Sequence, residues 1–155
     1  MLDHSSLLRI GIAGFLLVAL TLAQGFTFAI GNPVASQDFR FKSAAFALRT
    51  EGCAEPAKSQ INGTAEGIVK GERRSVVLRV MSASKPGVYA VEQNWPPEGE
   101  WVVSLRGTCA GQSAGAIIPM GPKGFIRESS KFLARPATDA EIDAALKDLA
   151  KGGSK

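Results

Sequence analysis

The chain has 155 residues, 18 basic and 14 acidic side chains, a formal net charge of +4, two cysteines and one histidine. That length suits one domain of ordinary size behind an N-terminal segment. The basic residues are scattered, with no run resembling a nucleic-acid-binding arm, so nucleic acid is not an expected partner.

Residues 10–29 form an almost unbroken apolar run behind Arg9. This pattern predicts an export signal with its hydrophobic region near residues 10–23. Two cleavage signatures carry small or neutral residues at both critical positions, Ala23-Gln24-Gly25 and Thr27-Phe28-Ala29. A cut after Ala29 is favoured, because it leaves the turn-prone Gly31-Asn32-Pro33 near the new terminus. The competing reading is an uncleaved anchor over residues 10–30, which at about 1.5 Å per residue covers a bilayer core of about 30 Å. Gln24, Thr21, Thr27 and three glycines weaken that span. The membrane is a partner only if this segment stays attached.

The expected location is therefore periplasmic or extracellular. In such a compartment Cys53 and Cys109 form a disulfide. The bridge closes a loop of 57 residues, for which chain entropy gives about 4 kcal/mol. His4 leaves with the leader, so the mature chain has no imidazole. That excludes Ser-His-Asp and Cys-His catalysis and histidine-based zinc or copper sites.

Residues 30–37 read as a polar linker between the leader (1–29) and a β-domain (38–135). In the first β segment Phe39, Phe41, Ala44, Phe46 and Leu48 alternate with Arg40, Lys42 and Arg49. Residues 60–69 alternate Ile61, Gly63, Ala65, Gly67 and Val69 with polar neighbours, and Lys70-Gly71 turns the chain into residues 75–81. Further segments follow at 88–95, 100–107, 113–119 and 124–128, separated by Gly/Pro turns. About seven strands at this spacing predict a mainly β fold, an Ig-like antiparallel sandwich. Trp101, Val103 and Leu105 share one face, as do Tyr89 and Val91, and with Val76, Leu78 and Val80 they are the expected core.

Residues 136–155 change period. Thr138-Asp139-Ala140-Glu141 is a capping box. Ile142, Ala145, Leu146 and Leu149 then repeat at i, i+3, i+4 and i+7, the stripe of a short C-terminal α-helix ended by Gly152-Gly153. Too short to be stable alone, the helix is expected to dock on its own sandwich, a partner protein or membrane surface being the alternative.

Glu92, Glu98 and Glu100 cluster around Asn94-Trp95-Pro96-Pro97. An aromatic ring beside carboxylates suits a sugar-binding surface or, with a suitable pair, glycoside hydrolysis. The plain alternative is an ordinary exposed turn. Met81 and Met120 read as core filler rather than copper ligands. No catalytic residue, cofactor or metal site is assigned, and the chain is read as a non-enzyme.

Pro86-Gly87-Val88-Tyr89, followed by Pro97-Glu98-Gly99-Glu100-Trp101-Val102-Val103, resembles the FixH/YtkA-like group of bacterial envelope domains. There a Pro-Gly-x-Tyr strand precedes a Gly-x-Trp-x-hydrophobic strand. The resemblance covers some 20 residues and implies a small sandwich attached to membranes or larger machinery, copper delivery being a role of some relatives. The absence of histidine after the leader departs from the copper-handling pattern. The expected function is a non-catalytic envelope module binding a protein or a surface polymer. The alternatives are a membrane-anchored accessory or metal-handling domain and a carboxylate-dependent carbohydrate-active or carbohydrate-binding protein.

Overall fold

Period-two alternation carries most of the chain into two antiparallel sheets that face each other. A computed structural model describes residues 25–33 and 38–152. His4, residues 10–24 of the expected leader or anchor, residues 34–37 of the expected linker and Gly153 lie outside the described residues. One sheet has the order β1 (Thr27–Gly31), β2 (Ala44–Glu51), β6 (Val88–Glu92), β5 (Arg79–Ser82). The other has the order β10 (Lys131–Leu133), β8 (Gln112–Gly121), β7 (Glu100–Cys109), β3 (Gln60–Val69), β4 (Glu72–Val77), with β9 (Gly124–Phe125) added to β8. The fold is a β-sandwich with one C-terminal helix, α1 (Asp139–Gly152).

The core lies between the sheets. Phe46, Leu48, Tyr89 and Val91 from one sheet meet Ala65, Trp101, Val103, Leu105 and Ile118 from the other. The faces expected from the alternation of β3, β6 and β7 are the buried ones. A Cβ added to Gly67 would lie within 3.0 Å of three ring atoms of Trp101, so only glycine lets the indole lie flat on β3. Two tight hairpins fix the register of the larger sheet. Lys70-Gly71 and Ala110-Gly111 all take positive φ, as the two central residues of a type I′ turn must.

The largest departure from the sequence reading is β1. Residues 26–31 read Phe-Thr-Phe-Ala-Ile-Gly, an in–out alternation hidden at the end of a longer apolar run. Phe26, Phe28 and Ile30 are only 3%, 4% and 7% exposed, and β1 pairs with β2 from Thr27↔Glu51 to Gly31↔Ala47. The two rings meet edge to face with centroids 5.5 Å apart. The expected leader boundary at Ala29 therefore falls inside a core strand, and the expected linker begins inside it as well.

Three further segments differ. Phe39–Phe41 is a turn of 3-10 helix rather than strand, because the Asp38 carboxylate accepts the Arg40 N–H at 3.1 Å and tightens the chain. Residues 75–81 do not form one strand. The chain changes sheets at Leu78, whose N–H donates to the Gly63 carbonyl at 3.0 Å. After β9 another 3-10 turn covers Arg127–Ser129 and feeds the short strand β10.

The helix forms as its sequence predicts and docks on its own sandwich. The Thr138 N–H donates to Glu141 Oε2 at 2.9 Å, and the Glu141 N–H returns to Thr138 Oγ1 at 3.3 Å. Arg135 adds a two-pronged contact at 2.8 and 2.9 Å. With the Arg135 hydrogen bonds first among the causes, the Glu141 carboxyl is lowered from its ordinary 4.5 to about 2. Ile142, Ala145 and Leu146 cover Val102 and Ile117 on the outer face of the larger sheet. Arg73 of β4 then ties the helix to the sheet by pairing with both Asp143 and Glu66.

Cys53 follows β2 and Cys109 ends β7, and the two are joined by a disulfide with Cα atoms 5.8 Å apart. The bridge therefore staples one sheet to the other. No helix among the described residues is long and apolar enough to cross a membrane.

Candidate functional site

At the end of the sandwich where β7 begins and β8 finishes, three elements stand apart and leave a groove of about 860 Å³. The first wall is the β6–β7 connection. Its backbone is held at both ends: Asn94 Nδ2 donates to the Val77 carbonyl at 2.8 Å, and Trp101 Nε1 donates to the Glu98 carbonyl at 2.8 Å. Between these anchors Pro96 and Pro97 project into the groove, with Trp95 and Trp101 behind them. The second wall is the β8–β9 hairpin, where Pro119, Met120 and Pro122 face inward together with Ile126. The third is the last part of α1, which contributes Ala145 and Leu149.

The floor is apolar and the rim is polar. Gln93, Ser129, Lys131 and Asp148 line the opening and are exposed, while Glu100 is half-buried. This division is typical of recognition surfaces, in which a desolvated centre supplies affinity and a wet rim supplies selectivity. Proline has almost no side-chain freedom to lose on binding. Four prolines among the lining residues therefore give walls that are already ordered.

The residues singled out from the sequence are separated by the fold. Trp95 is only 5% exposed and belongs to the core, so its ring face cannot serve as an open sugar platform; it forms groove wall instead. Glu92 ends β6 in the smaller sheet and pairs with Arg79 of β5 at 3.0 Å. Glu98 is exposed on the turn and does not line the groove; only its carbonyl is used, by Trp101. Glu100 does line it, as does Asp148 of the helix. The expected carboxylate cluster is thus dispersed over an inner strand of the smaller sheet, a turn and the groove lining.

Sequence reasoning missed the β8–β9 hairpin and the helix end as parts of this site. The signals were present: Pro119-Met120-Gly121-Pro122 punctuates a strand, and Leu149 is the last residue of the apolar stripe, left half-buried by the sheet. Met120 packs partly against the core, as expected, while also facing the groove. Among the described residues no group of three or more His, Cys, Asp or Glu side chains could hold a metal ion. Tyr89 and Trp101, which carry the envelope-domain resemblance, are both buried core residues. No family model, curated protein or solved structure matches the chain.

Proposed function

We propose that this chain is an exported, immunoglobulin-type sandwich that works by binding, taking an extended apolar segment of an envelope protein into the groove beside Trp95. Export is supported by the Cys53–Cys109 bridge, which forms and persists in oxidising compartments. The immunoglobulin-type reading is supported by strand order. β1-β2-β6-β5 faces β8-β7-β3-β4, and the bridge joins the ends of the second and seventh strands of the two sheets. In the immunoglobulin arrangement the corresponding strands carry the inter-sheet disulfide.

The observation that carries the binding reading is the groove itself. Its lining is rich in tryptophan, proline, methionine and leucine, and four of its polar residues, Gln93, Ser129, Lys131 and Asp148, are exposed. Such a surface gains from burying apolar side chains and has little to reorganise on contact. An apolar peptide segment suits an apolar groove between a loop, a hairpin and a helix end better than a compact polar ligand does.

Photo-crosslinking in the exporting cell tests this. A crosslinker at Lys131 or Gln93, on the rim, is expected to give a discrete adduct with one envelope protein. The same group at Thr108, toward the opposite end of β7, is expected to give none. Leu149→Asp, which places a charge in the apolar wall, is expected to abolish the Lys131 adduct. Adducts of equal yield from both ends, or none from the rim, would overturn the groove as the binding site.

A further inference from the structure

β1 decides between the two cleavage signatures of the leader. A cut after Ala29 would discard Phe26 and Phe28, which are 3% and 4% exposed and pack against each other in the core. Only Ile30 and Gly31 of β1 would remain, too little to pair along β2. A small domain is marginally stable, so losing two core phenylalanines and most of an edge strand would leave it without a folded state.

We propose that the exported form arises by hydrolysis of the peptide bond between Gly25 and Phe26. A peptidase of the export machinery adds water across that bond, leaving a carboxylate on Gly25 and an α-ammonium on Phe26. The inference rests on the export reading and names the processing step within it. Three observations converge on this bond. Ala23 and Gly25 are the small residues that an export peptidase requires at the two critical positions before the cut. Gly25 is exposed, with nothing within 4 Å of the place its Cβ would occupy, whereas the next side chain is buried. The boundary between dispensable chain and core thus falls between these two residues.

The third observation is what waits for the new terminus. The Phe26 nitrogen already donates to Gln112 Oε1 at 2.8 Å, beside the β7–β8 turn. An ammonium there keeps this hydrogen bond and strengthens it, because a charged donor bonds more tightly than an amide. The same strand also argues against a permanent anchor. With residues 26–30 drawn into the sandwich, the 16 residues from Ile10 to Gly25 remain. As a helix they would reach about 24 Å, short of the roughly 30 Å of a bilayer core.

The test is N-terminal sequencing and intact mass of the full chain expressed with its leader and recovered from the envelope fraction. The expected N-terminus is Phe-Thr-Phe-Ala-Ile. A chain beginning Ile-Gly-Asn, or one retaining Met1, overturns the inference while an intact Cys53–Cys109 bridge in the same sample leaves export standing. Failure of any chain to leave the cytoplasm sinks both. Two variants add an independent arm: Gly25→Leu is expected to accumulate precursor, and Ala29→Leu to be processed at the wild-type site. The reverse pattern would overturn the proposal.

Discussion

Trp101→Ala is expected to remove about 3–5 kcal/mol of folding stability, the loss usual for deleting a buried aromatic ring. Trp101 is 3% exposed, lies flat on Gly67 of the neighbouring strand and sits where β7 leaves the loop. The cavity would open against β-strands whose backbone is fixed by pairing on both sides, so the site has little room to collapse. The substitution also frees the Glu98 carbonyl from its indole donor and loosens the proline-bearing wall of the groove. Trp101→Phe, which keeps most of the apolar volume but no donor, should lose less. Urea unfolding followed by circular dichroism reads both variants. An unchanged midpoint for Trp101→Ala would mean that the ring is not core.

Replacing both cysteines by serine is expected to cost about 4 kcal/mol, the chain-entropy value for a 57-residue loop. That is a large share of the roughly 5–15 kcal/mol that keeps a domain of this kind folded. The bridge acts between sheets, so its removal also weakens the docking of β2 against the end of β7. Reductant should lower the wild-type unfolding midpoint by a similar amount and leave the Cys53→Ser/Cys109→Ser variant unmoved. A wild-type midpoint insensitive to reductant would refute this role.

Where one physical signal dominated, the sequence was legible. β3 was readable to the residue, because its small and apolar side chains alternate without interruption between two clear turns. The C-terminal helix was readable from its capping box and stripe, since both are local patterns. β1 was not, because its alternation follows directly on an apolar run whose composition suggested removal. The break at Leu78 was equally hidden: nothing local distinguishes a continuous strand from one that changes sheets, and a long-range hydrogen bond to Gly63 decides it.

The candidate site was only partly legible for a related reason. Trp95 and Glu100 belong to it, but their partners Pro119, Met120 and Leu149 come from segments brought close by tertiary packing. Glu92 and Glu98 are near Trp95 in sequence and were grouped with it on that ground. Strand pairing sends Glu92 to Arg79, and the β6–β7 turn leaves Glu98 outside the groove. Proximity along the chain was a poor guide at a turn, where successive side chains diverge.

The claim on which the rest depends is that this is an exported sandwich closed by a covalent bridge between its sheets. Thiol trapping of the chain recovered from the envelope fraction tests it most directly. Alkylation without reductant should add no mass, and alkylation after reduction should add two equivalents, with Cys53 and Cys109 peptides linked in the unreduced digest. Two alkylated thiols in the exported chain before reduction would contradict the account.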